Sequence, residues 1–243
     1  MAVSDIAFSV SIGVVQRLDP RVVFGIADPR AIAPGASQHL LRGAAFTLLL
    51  SAGSIVLSML IGMLVALLHV FGALPIRILV EVYLFLTRGI PLLILLFAMY
   101  YMLPYIGIDL QPIVGGILVI GLYYGAFMSQ VFRAAIQSLP KSQWDAARGL
   151  GMRLPLALQV VILPQAFRVA APPFVNTCMQ LIKSTSLVSI IGLWELTMAG
   201  RETVERTLAP FQIFAGVALI YFCICFALAS YGRYLAKRMQ YVH

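Results

Sequence analysis

Long apolar stretches alternate with short polar ones along almost the whole chain. A helix needs about 20 apolar residues to cross the hydrocarbon of a membrane, so each long stretch is a candidate span. Five candidates lie near residues 43–70, 82–103, 112–136, 169–193 and 211–231. The fourth is interrupted by Pro172, Pro173, Asn176 and Lys183. The pattern predicts an all-α membrane protein with about five transmembrane helices.

A polar, arginine-bearing stretch separates the third and fourth spans. Ser142, followed three residues later by Asp145, has the spacing of a capping box and predicts a helix that begins at Ser142. Gly149 would end that helix in the left-handed conformation. Pro155 suits the first turn of a second short helix, which Pro164 would limit or kink. We expect a compact elbow of two short helices.

The composition supports a membrane location. Hydrophobic residues make up 61% of the 243 residues, charged residues only 11%, and the mean hydropathy is +0.97. The net charge of +8 does not indicate nucleic-acid binding, because the basic residues are dispersed beside apolar spans. The three cysteines lie in apolar segments without the spacing of a zinc site. No glycine-rich phosphate loop is present, so we expect no cofactor and no ATP hydrolysis by this chain.

The basic residues also predict an orientation, since cytoplasmic loops are rich in lysine and arginine. The elbow is the richest basic loop and should face the cytoplasm together with the C-terminus, which leaves the N-terminus outside. Arg201 and Arg206 would then lie outside with the N-terminal arginines, which weaken the count. The basic residues on the cytoplasmic side would be Arg77, Arg133, Lys141, Arg148, Arg153, Arg168, Arg233, Lys237 and Arg238.

The elbow resembles the EAA loop of membrane subunits of ATP-binding-cassette (ABC) importers. It carries Asp145-Ala146-Ala147, Gly149 and Ile162-Leu163-Pro164, with aspartate in place of the family's glutamate. Other segments between about residues 40 and 238 resemble the polar amino-acid branch of these permeases. They are Arg88-Gly89-Ile90-Pro91, Tyr123-Tyr124-Gly125-Ala126, Leu163-Pro164-Gln165-Ala166, Lys183-Ser184-Thr185-Ser186-Leu187 and Glu195-Leu196-Thr197. A departure is Gln130, where the branch usually has glutamate.

The resemblance implies a type I ABC importer-like permease of the bacterial cytoplasmic (inner) membrane. Its partners would be a second permease subunit (an identical copy or a paralogue), two cytoplasmic ATPase subunits that bind ATP and Mg, an extracytoplasmic solute-binding protein and membrane lipid. The permease domain would cover residues 39–243, with the elbow at about 138–168. Residues 1–38 would be a separate segment, which could lie on the membrane surface.

The resemblance also implies which residues contact the ATPase: Trp144, Asp145, Ala146, Ala147, Arg148 and Gly149. Trp144 could instead anchor the elbow at the membrane surface. Polar residues in apolar segments are candidates for the solute path, because unpaired charges in hydrocarbon are costly. These are Asn176, Lys183, Thr185, Ser186, Glu195, Thr197 and Gln130.

Structural roles are the alternative for several of these side chains. Lys183 and Glu195 could simply lie at the membrane edge. Arg88 could reach the interface or pair with Glu81, which lies seven residues earlier on the same helical face.

Two other functions compete with an importer permease. An ion- or proton-driven carrier of small polar solutes should show inverted repeats with a matching pair of broken helices, and five unequal spans with a single elbow do not. An intramembrane enzyme would need a nucleophile with its base, or metal ligands, in the spans, and none stands out. The polar amino-acid branch handles basic, acidic and neutral solutes, so the sequence leaves the solute open.

Overall fold

A computed structural model describes residues 35–240, with side chains to residue 234. The segment predicted to lie on the membrane surface falls almost entirely on residues 1–34, outside the described part. The described chain is all-α, as predicted. Its helices are α1 (Ala36–Phe71), α2 (Leu74–Gly89), α3 (Leu92–Phe97), α4 (Pro112–Gln137), α5 (Lys141–Gly149), α6 (Leu154–Ala157), α7 (Leu163–Ser184), α8 (Leu196–Thr207) and α9 (Pro210–Gln240).

Helices α1 and α4 form the centre of the bundle. Small residues let their backbones approach closely, as is common between helices in lipid. A Cβ added at Gly62 would lie 2.5 Å from the Cβ of Met128. One added at Gly121 would lie 2.6 Å from the side chain of Leu57. Any larger residue at either position would push the two helices apart.

Four helical segments of the described part are long and apolar enough to cross a membrane: Ala36–Phe71, Pro112–Gln137, Leu154–Ile191 and Pro210–Tyr234. The span predicted at 82–103 is not one continuous helix. That region is a pair, Leu74–Gly89 and Leu92–Ile106, bent by 101°. Ile90 is extended because a residue before proline is disfavoured in the helical region, and Pro91 has no N–H to continue the ladder. Five spans result only if the bent pair counts as one.

The fourth span is longer and less interrupted than predicted. Helix α7 runs through Pro172 and Pro173. Thr177 Oγ1 donates back to the Pro173 carbonyl four residues earlier at 2.9 Å, the bond that a threonine within a helix commonly makes. Towards the N-terminus a π-helical turn (Leu158–Ile162) joins α6 to α7, and a 3₁₀ turn (Thr185–Ile191) follows α7.

The elbow differs from the prediction in detail. Helix α5 begins at Lys141, after Pro140, and no side chain caps it, so the capping box of Ser142 and Asp145 does not form. Gly149 is the last helical residue, whereas the left-handed glycine is Gly151, with φ +71°. The second short helix does contain a proline in its first turn, but it leads directly into α7.

Helix α8 was not predicted from the sequence. Its 12 residues are polar on average and lie between the fourth and fifth spans. They pack against the first turns of α1 through a cluster that contains Leu40, Ala44, Leu196 and Ala199. Since α5 contacts the last residue of α1, α8 and α5 lie at opposite ends of the bundle.

Candidate functional site

Helix α5 has one face held by the bundle and one face exposed. On the held face Ala147 is buried, and the Trp144 ring lies 6.0 Å from the ring of Phe71 at the end of α1. Gln165 of α7 donates to Gln143 Oε1 at 3.1 Å. Trp144 is half-buried against the bundle. The packing fixes the short helix, which could not persist alone in water.

The exposed face of α5 carries most of the residues predicted to contact an ATPase. Asp145, Ala146, Arg148 and Gly149 are exposed. The Met152 N–H donates to the Ala147 carbonyl at 3.1 Å, so the end of the helix is closed by backbone bonds. The structure therefore presents a rigid, small-residue surface of one helical turn at this end of the bundle. Trp144 and Ala147 support that surface from behind.

Glu195 is, with Thr185, the most deeply buried of the polar candidates. It is 0% exposed and precedes α8, where its Oε1 accepts from the backbone N–H groups of Thr197 and Met198 at 2.8 and 3.1 Å. Its Oε2 accepts from Thr47 of α1 at 3.2 Å and from Tyr221 of α9 at 2.8 Å. A carboxylate offers about four acceptor positions, and all four are used here.

Two other candidates join this network. Thr197 Oγ1 lies 3.3 Å from the Tyr221 hydroxyl. Thr185 is buried, donates to the Ile182 carbonyl at 2.7 Å and also forms a side-chain hydrogen bond with Tyr221. These contacts favour a structural role for Glu195, Thr185 and Thr197, which connect the 3₁₀ turn and α8 to α1 and α9. Solute contact by these residues stays a prediction.

The remaining candidates lie apart from this network. Asn176 and Lys183 are exposed on α7, and Ser186 is half-buried with its hydroxyl donating to the Lys183 carbonyl at 2.8 Å. Gln130 is half-buried on α4. None of the hydrogen bonds within residues 35–234 joins these four side chains to Glu195.

Of the two structural alternatives for Arg88, pairing with Glu81 is not seen among the ion pairs of the described residues. The Cζ of Arg88 lies 5.7 Å from the centre of the Phe127 ring on α4, a cation–π distance. Glu81 lies 3.5 Å from His69 of α1 instead. Arg88 and Glu81 lie on the same face of α2, but Arg88 contacts α4 whereas Glu81 contacts α1. A further polar contact nearby joins Tyr124 Oη and Ser184 Oγ at 2.6 Å.

Sequence reasoning missed two members of the Glu195 network and a second network at the end of the bundle opposite α5. Thr47 and Tyr221 lie within apolar spans, where they look like packing residues. In the second network, Glu202 of α8 lies 2.7 Å from His39 Nε2 and accepts from Trp194 Nε1 at 3.1 Å. The sequence offered one indication of this second network, which is His39, a lone histidine near the start of the first span.

Electrostatics are clearest at Glu202, which lies outside the spans. Burial acts to raise the pKa of its carboxyl, but hydrogen bonds from Trp194 and His39 and the nearby charge of Arg206 outweigh it. The pKa of Glu202 therefore lies below its ordinary value of 4.5.

The chain matches the family model described as "Binding-protein-dependent transport system inner membrane component" over residues 58–241. The L-cystine transport system permease protein TcyB of Bacillus subtilis is 35% identical over 223 residues, 91% of this chain and 95% of TcyB. The glutamine transport system permease protein GlnP of Escherichia coli is 31% identical over 88% of this chain and 98% of GlnP. The histidine/lysine/arginine/ornithine permease protein HisQ of Salmonella typhimurium is 31% identical over 85% and 95%.

Solved structures agree on the fold. A crystal structure of an amino acid ABC transporter with histidines is similar with a TM-score of 0.77 and 27% identity, over 83% of this chain and 94% of that chain. An inward-facing structure of the MetNI methionine ABC transporter has a TM-score of 0.70 at 18% identity, over 83% and 96%. At that identity the second likeness supports the fold alone.

Proposed function

The chain belongs to the family of binding-protein-dependent transport system inner membrane components and is an ABC transporter permease, and from that premise we propose that it carries polar amino acids or related solutes. The relatives that support this cargo are named for cystine, glutamine and basic amino acids. An ion- or proton-coupled carrier finds no support among them.

In the proposed assembly this permease pairs with a second permease subunit, either an identical copy or a paralogue. Two ATPase subunits bind ATP and Mg on the cytoplasmic side, and an extracytoplasmic protein delivers the solute. The chain itself supplies the membrane path. The α5 end of the bundle faces the cytoplasm and the α8 end faces outward, which agrees with the concentration of basic residues around α5.

The observation that carries the proposal is the two-faced helix α5. Its exposed face (Asp145, Ala146, Arg148 and Gly149) can admit the backbone of another protein closely, because two of its four residues have little or no side chain. Its held face transmits displacement to α1 through Trp144, since that ring packs against Phe71. Force applied to α5 by a closing ATPase pair would therefore move the spans as rigid bodies.

The solute path is proposed along the exposed polar side of α7. Asn176, Lys183 and half-buried Ser186 offer donors and acceptors there, and Gln130 of α4 adds an uncharged amide. Lys183 would attract a solute carboxylate. Glu195, Thr185 and Thr197 would hold the wall of the path in place from behind.

The decisive experiment compares two tryptophan substitutions in the assembled transporter in proteoliposomes. Ala146→Trp adds bulk to the exposed face of α5, where it would separate the permease from the ATPase. The control, Leu79→Trp, adds the same side chain at an exposed position of α2, away from α5, because every exposed residue of α5 lies on or beside the proposed docking face. ATP hydrolysis is measured with solute-loaded binding protein over a panel of polar amino acids.

We expect stimulated hydrolysis to fall to the basal rate in Ala146→Trp and to persist in Leu79→Trp. Co-purification of the ATPase should weaken only in Ala146→Trp. Full stimulation and co-purification in Ala146→Trp would contradict docking on this face. The absence of stimulation by any polar amino acid in the unaltered protein would contradict the proposed cargo.

A further inference from the structure

A basic cavity lies at the end of the bundle opposite α5. It has a volume of about 180 Å³ and lies between the first turns of α1 and the last turns of α8. Its lining includes His39 and Arg42 from α1 and Thr203, Arg206 and Thr207 from α8. The solute path and the elbow use none of these residues. The cavity is therefore a separate feature with its own chemistry.

The charge of this cavity is positive. Arg42 and Arg206 are both exposed and come from two different helices. Among residues 35–234, no hydrogen bond or ion pair within 4.0 Å engages either guanidinium. The carboxyl group in the neighbourhood, that of Glu202, already contacts His39 at 2.7 Å and Trp194 at 3.1 Å through Oε2. Two guanidinium groups thus converge on the cavity with their donors available.

The backbone adds further donors at the same place. Helix α1 begins after Gly35, which has φ +107°, and within residues 35–234 no side chain caps its first-turn N–H groups. These N–H groups and the positive end of the helix dipole favour an anion. The hydroxyls of Thr203 and Thr207 are already donated to backbone carbonyls, at 2.7 and 2.8 Å. The free donors are therefore guanidinium and amide groups, which suit an oxyanion with several oxygens.

Apolar side chains beside the cavity indicate what carries the anion. Leu41, next to Arg42, is 62% exposed, and Leu208, next to Thr207, is 82% exposed. An exposed apolar side chain at the end of a span suits contact with hydrocarbon better than contact with water. A carboxylate on a soluble partner would not use these leucines.

We propose that this cavity binds the phosphodiester group of a membrane phospholipid, whose acyl chains lie along Leu41 and Leu208. Arg42 and Arg206 hold the phosphate oxygens from two helices, so the lipid joins the start of α1 to the end of α8. Guanidinium groups bind phosphate oxygens in a bidentate manner, and in the proposed orientation the lipid would belong to the outer leaflet. An anionic headgroup should bind more tightly than a zwitterionic one, because the two guanidinium groups leave an excess of positive charge.

The test measures lipid bound to the purified full-length permease by native mass spectrometry during titration with phosphatidylglycerol. The double variant Arg42→Gln, Arg206→Gln removes both guanidinium groups. The matched control is Arg201→Gln, which removes an equally exposed charge from α8 outside the cavity. Removing each guanidinium should weaken binding about fivefold, so the double variant should bind about 25-fold less tightly. A second arm repeats the titration with inorganic phosphate as competitor.

Loss of phosphatidylglycerol binding in the double variant, with normal binding in Arg201→Gln, supports the site. Equal loss in both variants shows only a general charge effect and overturns it. Inorganic phosphate that binds at the cavity while phosphatidylglycerol does not would overturn the assignment to lipid. Thermal unfolding of each variant in detergent excludes misfolding, and a folded double variant with unchanged lipid affinity also overturns the proposal.

Discussion

Glu195 links three helices through one side chain. Its carboxyl group is fully buried, caps α8, and accepts hydrogen bonds from Thr47 of α1 and Tyr221 of α9. Removing a buried acceptor leaves its donors unpaired, which costs more than the bonds themselves contribute. The residue should therefore matter more for stability than for the choice of solute.

We expect Glu195→Ala to destabilise the folded chain by about 3 kcal/mol, because two hydroxyls and two amides lose their acceptor. Glu195→Gln should cost less, since its amide oxygen can still accept from the α8 amides. The measurement is the apparent melting temperature in detergent, with uptake of several amino acids in proteoliposomes. A normal melting temperature together with altered solute preference in Glu195→Gln would instead favour direct solute contact.

The contact of Glu202 with His39 and Trp194 should depend on pH. Because the pKa of Glu202 is lowered in the folded chain, its stabilising contribution is complete above 4.5 and is lost as the pH falls through the folded-state pKa. Trp194 fluorescence should report this loss in a Trp144→Phe variant, since the chain has only two tryptophans. The transition should disappear in Glu202→Gln, and its persistence there would assign it to another group.

The sequence identified candidate site residues more readily than it identified their contact partners. Glu195 stood out as a charge near an apolar stretch, but its partner Thr47 lies 148 positions away. Such a pair depends on how whole helices pack, and no local spacing reports it. The same limit explains Arg88, whose seven-residue spacing from Glu81 was compatible with pairing but not sufficient for it.

At the scale of elements, the bend between α2 and α3 is the main departure from a simple helical bundle. The pair turns by 101° at the segment that follows Arg88. Pro91 requires an extended conformation of Ile90, whereas Gly89 has no special backbone conformation and no neighbour within 4 Å of an added Cβ. The proline therefore determines the bend, and the glycine does not.

Pro91→Ala should straighten this segment, because it removes the restriction on Ile90 and restores a backbone donor. Spin labels at exposed Leu79 and Tyr105 should then move apart, as measured by pulsed electron resonance in a variant without the three native cysteines. Gly89→Ala should leave the distance as it is. An unchanged distance in Pro91→Ala would mean that packing against α4 sets the bend.

The lengths of the apolar stretches predicted which segments span the membrane, but not how the helices bend or how they are connected. The third span was predicted within one residue, 112–136 against Pro112–Gln137, because a long uninterrupted apolar run has one interpretation. Helix α8 was missed since its mean polarity looks like a loop and its burial depends on α1. The two-helix elbow was predicted as a unit, whereas its cap and its left-handed glycine were not, since Pro140 and Gly151 take those roles.

At the scale of the whole molecule, the proposed orientation places α5 in the cytoplasm and α8 outside. Arg148→Cys and Arg201→Cys, each exposed, would report it in a variant without the native cysteines. A membrane-impermeant thiol reagent should label position 201 in intact spheroplasts and position 148 only after lysis. Labelling of position 148 from outside would contradict both the orientation and the docking of an ATPase on α5.

Helix α1 extends unbroken from His39, which contacts Glu202 at one end of the bundle, to Phe71, which contacts Trp144 at the other. Its 36 residues make a rod of about 54 Å, at about 1.5 Å per residue. Because it has no proline within it and fits closely to α4, a tilt imposed at one tip must appear at the other. A tilt of only about five degrees displaces the far tip by about 5 Å. In the proposed assembly, a tilt of α1 at the ATPase side would therefore reach the side of the solute-binding protein without local rearrangements within the membrane.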